Sequence, residues 1–377
     1  MNIWETPNGL NFVREIKKTG DMEDCIVFIP DNSRESFLTA FSKTCQDRQT
    51  YCQRIKAEND KIETLKKYFP PLVGIMPQNK DFYENSPNLG DTLVFEIDEN
   101  SPQWIVDFLK NKKNARWNAL CVASPGCAED LDKFRSISFW GRIYPSDTIY
   151  AMERIAEEYN LGTAAICWHE AICQSLCELD ITLAYALIRD SPVDADEIAD
   201  FLFKNPFSEF GQLAFDFYEN ESGKLSRKSP PEKGTAAFEL WKAGALDMAI
   251  DERELVHPAA MLAAGKTNDL KLMLSSGQTK VFMPLVANAH AFICRQMERK
   301  YGREWSDSKN PGDDKKHLRE LGPLYAWLKR YYVGEWRLAN LAAVWMNVRN
   351  FLAHNDYMPL IMALKAMAEY QKNKNKL

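Results

Sequence analysis

Cys25-Ile26-Val27-Phe28-Ile29-Pro30 is a continuous apolar run, rich in β-branched residues and followed by Asp31-Asn32. A half-exposed strand alternates apolar and polar residues. A run with no polar position belongs to a strand buried on both faces, as in a parallel sheet. Working outward, Phe12-Val13-Arg14-Glu15-Ile16 is a short amphipathic stretch before it. After it, 36–68 reads as one long charged helix with Phe37, Leu38, Phe41, Ile55, Ile62 and Leu65 on its apolar side. Further strands are expected at 72–76, 92–99, 117–123 and 137–143, with a helix over 104–110. Strands alternating with helices imply an α/β layer.

Beyond Pro145 the strand signals stop. Ser146 and Asp147 open a capped helix, and 162–278 reads as helices with short breaks. The polar stretch 219–234, with Ser229-Pro230-Pro231, reads as an exposed loop or hinge. From Thr279 four helices with short connections are expected, at 281–301, 315–332, 335–351 and 359–370. The fold class is therefore α+β multidomain: an α/β parallel-sheet domain over 1–145, a helical middle over 146–278, and a four-helix bundle over 279–377.

Composition narrows the class. Apolar residues make up 45% and charged residues 27% of the 377-residue chain, values of ordinary globular protein with sizeable cores. No run of eighteen apolar residues occurs, so no membrane span is expected. The first residues lack a basic stretch followed by an apolar core, and the nine cysteines show no paired spacing. Both features suit a reducing cytoplasm. Residues 279–377 hold 17 Lys or Arg against 9 Asp or Glu, a net of +8, which leaves −14 on the preceding part of a chain whose total is −6. Such an asymmetry fits a C-terminal part that meets a polyanion, or two parts that attract each other.

Several clusters read as structural. His169, Cys173 and Cys177 share one helical face, but three ligands on one helix supply tetrahedral geometry poorly. No metal site and no cofactor are expected there. His257 and His290 read as satisfied structural histidines, and His317 as a surface residue.

The segment after the first strand, Pro30-Asp31-Asn32-Ser33-Arg34-Glu35-Ser36, stands where a phosphate-binding loop would hold two glycines and a lysine, and has none of them. Leu93-Val94-Phe95-Glu96-Ile97-Asp98-Glu99 is similar to a Walker B strand with its acidic end. The N-terminal region thus resembles a degenerate P-loop or other Rossmann-like domain, for which ATP hydrolysis is not expected. The alternatives are a nucleotide-sensing domain, as in CARF proteins, with Ser33 and Arg34 as ligand contacts, or a scaffold for protein partners.

The most specific stretch lies near the C-terminus: Arg349-Asn350-Phe351-Leu352-Ala353-His354. On a continuous helix Arg349 and His354 diverge by about 140°, at 100° per residue. They converge if the helix ends near Ala353 and His354 sits in the turn that Asn355 and Asp356 favour. Arginine holds phosphate bidentately, and histidine moves a proton near neutral pH. This Arg-x4-His segment, with a polar Asn350 after the arginine, resembles the ribonuclease members of the HEPN family. The resemblance covers about the last hundred residues. It implies metal-independent cleavage of RNA to 2′,3′-cyclic phosphate and 5′-hydroxyl ends, a homodimer in which two Arg/His sets meet, and Glu320 as the acidic residue on an earlier helix. It further implies a toxin or antiphage effector, controlled by a regulatory protein or nucleotide at the N-terminal domain. Lys329, Arg330 and Tyr331, flanked by Trp327 and Tyr332, interleave cations and aromatics and suit an RNA strand, or equally form core and rim. Some HEPN domains are interaction modules only, and that reading stands beside the catalytic one.

Overall fold

Both faces of the Cys25–Ile29 strand are buried, in two separate cores. Cys25, Val27 and Ile29 point into one, with Phe12, Val13, Ile16, Phe37 and Phe41. Ile26 points into the other, with Phe95, Ile105, Phe108 and Trp117. A computed structural model describes residues 1–47, 52–68, 92–112, 117–128, 130–192, 194–307, 318, 320–354 and 357–374. Along the chain run α1 (Pro7–Met22), β1 (Cys25–Phe28), α2 (Asp31–Asp47), β2 (Cys52–Lys56), α3 (Lys61–Tyr68), β3 (Thr92–Ile97), α4 (Gln103–Lys110), β4 (Asn118–Ala123) and β5 (Arg135–Ser138). Next come α5 (Pro145–Glu158), α6 (Thr163–Leu176), α7 (Thr182–Asp190), α8 (Ala195–Phe203), α9 (Gly211–Asn220), α10 (Ala236–Ala243), β6 (Leu246–Met248), β7 (Glu254–Val256) and α11 (Pro258–Ala263). The last helices are α12 (Thr267–Tyr301), α13 (Leu321–Tyr331), α14 (Trp336–Ala353) and α15 (Leu360–Lys374).

The chain divides into two compact units, Met1–Asp147 with Glu209–Ala264, and Thr148–Ser208 with Gly265–Leu377. In the first, five parallel strands lie in the order β2-β3-β4-β1-β5. The α/β domain with a parallel sheet, followed by a largely helical region, is thus the architecture of the chain. Because every strand runs the same way, the loops after β1 and β3 leave from one edge of the sheet.

Three readings from sequence need correction. The long helix over 36–68 is instead helix, strand and helix. Its middle, β2, is an edge strand in which Ile55 is the buried apolar side chain among those described. Arg54 beside it is ion-paired to Glu35 and Glu96, both at 2.9 Å, so charge masked the strand pattern. Strand structure also continues past Pro145: β6 and β7 form an antiparallel pair, each only three residues long and too short to show a period. The fifth strand ends at Ser138 instead of 143, because Gly141 turns the chain at φ +72°. The strand expected at 72–76 lies outside the described residues.

The segmentation at 145/146 and 278/279 differs from the packing. Residues 209–264 fold with the sheet, where α9 packs on α10 and α11. In the second unit, α12 runs unbroken through 278/279 with Pro284 inside it. There α14 touches α12, α13 and α15, while α6, from the supposed middle, packs on α12 and α15. The C-terminal bundle therefore has a fifth member. Close approach of α6 and α12 requires Gly277: a Cβ there would lie 2.0 Å from the Ala171 carbonyl oxygen.

Candidate active site

The α14 helix presents Leu338, Leu341, Ala342, Trp345, Val348 and Leu352 to the core, spaced at three, four and seven residues. That stripe places Arg349 and Asn350, next to Val348, at the half-buried margin of the helix. The helix ends at Ala353. His354 caps it with φ −94° and ψ 5°, and its N–H donates to the carbonyls of Asn350 and Phe351 at 3.2 Å. Its imidazole is exposed at the start of the turn. The helix end foreseen at His354 is therefore present. Asn355 and Asp356 lie outside the described residues.

Met358, four residues on from His354, is held by a buried amide. Gln278 on α12 donates through Nε2 to the Met358 carbonyl at 2.9 Å, and its Oε1 accepts the Met358 N–H at 2.8 Å. Both residues are fully buried. Beside them Tyr357 packs edge-on against Trp168, with ring centroids 6.0 Å apart. Burial, reinforced by Asp194 and Glu197, pushes the Tyr357 hydroxyl's pKa well up, so it stays neutral. Tyr357 and Met358 are thus pinned on their inner side while the His354 imidazole stays exposed.

Arg349 reaches across to α13. Its Nη2 lies 3.2 Å from Oε2 of Glu320, and its Nη1 donates to Asn350 Oδ1 at 3.4 Å. Glu320 is the residue before α13, yet its carboxylate makes no capping bond to its own helix. With the side chains 41% and 64% exposed, this pair contributes about 0–1 kcal/mol, so an incoming phosphate can displace the carboxylate at little cost. Three of the four predicted catalytic residues are thereby joined by hydrogen bonds. Arg349 makes none to His354 among the described residues.

The aromatic and basic residues Lys329, Arg330 and Tyr331 stand in the last turn of the same helix that Glu320 opens. At 1.5 Å per residue they are about 15 Å from Glu320, so they form no common site with Arg349 but extend along α13 from it. The Arg330 guanidinium covers the Tyr331 ring at 5.1 Å, and Lys329 lies 5.8 Å from the Tyr325 ring centroid. Tyr331 in turn packs on buried Trp327, with centroids 4.6 Å apart. The patch thus has a core side and an exposed cationic side.

In the sheet unit, only Ile29 and Pro30 separate β1 from α2. A two-residue link in which Pro30 has no N–H offers no row of backbone amides for phosphate. Arg34 is 19% exposed and bonded to Asp31 at 3.0 Å and to Asp98 at 3.4 Å. Ser33 donates its hydroxyl to Asn32 Oδ1 at 3.0 Å, while its carbonyl accepts from the Trp4 indole at 3.1 Å. Asn32 itself abuts Gly244, whose absent Cβ would fall 2.0 Å from Asn32 Oδ1. The loop after β1 and the acidic end of β3 do meet, but through Arg34, not through a phosphate cradle.

Among the described residues no group of three or more His, Cys, Asp or Glu is arranged to hold a metal ion, and no helix is long and apolar enough to cross a membrane. Cys173 and Cys177 are fully buried, and burial lowers the His169 pKa. Sequence reasoning missed Gln278, whose partner lies 80 residues away. It also passed over the pair Arg227-Lys228, which stood in plain view inside a stretch read as a loop or hinge.

No family model matches the chain, and no curated protein matches it. The chain is structurally similar to a solved structure described as the crystal structure of a DNA replication initiation factor, at 10% identity and a TM-score of 0.33, over 78% of this chain and 88% of that one. A superposition at that level has no bearing on substrate or mechanism.

Proposed function

We propose that the chain is a cytoplasmic, metal-independent endoribonuclease of HEPN type, acting as a homodimer. The observation that carries this reading is the junction of Arg349, Asn350 and Glu320 beside an exposed His354 at a helix end, in the basic part of an otherwise acidic chain. In the proposed reaction Arg349 exchanges Glu320 for the non-bridging oxygens of a phosphodiester. A ribose 2′-hydroxyl attacks the adjacent phosphorus. The 2′-O–P bond forms, the P–O5′ bond breaks, and the products carry a 2′,3′-cyclic phosphate and a 5′-hydroxyl. Proton removal from the 2′-hydroxyl and delivery to O5′ need one base and one acid. His354 of each protomer supplies them in turn, which is why the reading requires two copies. Lys329, Arg330 and Tyr331 extend the grip along the strand. The sheet unit then serves control, through a protein or nucleotide, and the setting is a toxin or antiphage effector.

A specific observation favours a second reading, a HEPN-like interaction module without catalysis. Val333, Trp336 and Ile361 expose 75%, 56% and 74% of their area, an apolar display that suits a partner surface. The two readings part on Arg349→Ala and His354→Ala. As an enzyme, the protein loses metal-free RNA cleavage with either change and keeps its dimer. As a module, it cleaves no RNA in any form.

A further inference from the structure

The free edge of β5 faces a cleft of about 490 Å³ in the sheet unit, lined by Arg135, Ser136, Ser138, Arg142, Arg227 and Lys228 among others. The odd-numbered amides of β5 face β1: Arg135 N–H donates to Asp24 O, and Phe139 N–H to Phe28 O, at 3.1 and 3.2 Å. The backbone groups of Ser136 and Ser138 therefore point the other way, and no hydrogen bond to them occurs among the described residues. Such an edge is a template for another strand, and natural edges are usually covered or blunted. Here the far wall is a fixed loop. Ser226 O accepts the Trp140 indole N–H at 2.9 Å. Gly141, at φ +72°, lets Arg227 pack against it, since a Cβ there would fall 2.4 Å from Arg227 Cγ.

The wall is cationic. Arg135 and Arg142 hold Glu23 and Glu15, each at 2.8 Å, in exposed pairs that a better acceptor can displace. Arg227 and Lys228 have no ion pair among the described residues. Four cations against Glu15 make the lining positive inside an otherwise acidic part of the chain.

We propose that this cleft takes an extended acidic segment of a partner polypeptide, which adds to β5 as a sixth strand. Two features select a peptide over a phosphate-bearing ligand. The floor alternates outward N–H and C=O groups at Ser136 and Ser138. A strand pairs with both, whereas phosphate has no use for a carbonyl. The repeat of about 7 Å between those residues is that of alternate residues in an extended chain, so carboxylates on one side of the peptide meet the cations in register.

The test uses the full chain and a fluorescein-labelled heptapeptide, Glu-Val-Glu-Ile-Glu-Val-Glu, followed by anisotropy. Its controls are the same peptide with glutamines for glutamates, the acidic peptide N-methylated at alternate residues in both registers, and a twenty-nucleotide oligouridylate. The acidic peptide is expected to bind, with affinity lowered at least tenfold by neutral side chains, by N-methylation in one register, and by Arg227→Glu with Lys228→Glu. Lys228→Glu alone, on an exposed loop, should give a smaller loss and guards against misfolding of the double variant. The proposal is overturned if the acidic peptide does not bind, if N-methylation in neither register weakens it, or if oligouridylate displaces it and binds in a manner lost in the charge-reversal variants.

Discussion

Replacing Gln278 by leucine tests how the segment at Met358 is held. The side chain makes two hydrogen bonds to Met358, at 2.8 and 2.9 Å, and both residues are fully buried. Leucine keeps the volume and leaves the Met358 N–H and C=O without partners. Each buried polar group so orphaned costs about 1–3 kcal/mol, and burying a leucine returns about 1.5–3 kcal/mol. Two orphaned groups cost about 2–6 kcal/mol together, so the net local loss centres on about 1.8 kcal/mol, or about a twentyfold more populated open state of this segment at about 1.4 kcal/mol per decade. Amide hydrogen exchange at Met358, followed by NMR or by mass spectrometry of peptides spanning the turn, reads this directly. Exchange there should accelerate by at least tenfold, while exchange in the sheet unit stays unchanged. Unaltered exchange at Met358 would refute the view that the amide clamp, and not the surrounding apolar packing, fixes this segment.

Gly277→Ala places a methyl group 2.0 Å from Ala171 O, so it should destabilise the helical unit by about 1–3 kcal/mol, although alanine gains about 1 kcal/mol in an open helix; urea unfolding of wild type and variant checks this. Asp247 is fully buried, and desolvation raises its pKa to about 7, against acceptance of the Gly141 and Met248 amides. Because the folded state holds this proton more tightly than the unfolded chain, stability is greatest below about pH 4 as far as this group is concerned, and falls as pH rises through 7. Asp247→Asn should remove that slope, worth up to about 4 kcal/mol between pH 4 and 8, as measured by denaturant unfolding across that range. Glu320→Gln should change stability by under about 1 kcal/mol, because the pair with Arg349 is exposed. If Glu320 serves the reaction, the same variant lowers RNA cleavage without a matching fall in thermal stability.

The parts of this fold that show in the sequence are those with local causes. Cys25–Ile29 is apolar at every position because each side chain meets a core, and Phe37, Leu38 and Phe41 declare the helix above it. β2 did not show, because an edge strand buries one row of residues only, and Arg54 and Lys56 flank the buried Ile55. α12 reads from sequence as a short helical stretch before 278 and a separate helix over 281–301, whereas it is one helix with Gly277 and Pro284 both inside it. Gly277 is needed there for contact with α6, a demand made by Ala171, far earlier in the chain. Arg349, Asn350 and His354 were legible as a motif, and Glu320 only by likeness to a family. The clamp by Gln278 and the cationic edge of β5 were not legible, since both join residues far apart in the chain. A lone glutamine or an Arg-Lys pair has no spacing to betray it.

The central claim is the chemistry at Arg349 and His354, and the most direct measurement is cleavage of a 5′-labelled RNA by the purified chain in excess chelator, with end-group analysis of the products. Wild type is expected to form fragments ending in 2′,3′-cyclic phosphate, lost by at least a hundredfold in Arg349→Ala and in His354→Ala, with dimerisation retained. RNA left intact by wild type, or cut equally well by both variants, would contradict it.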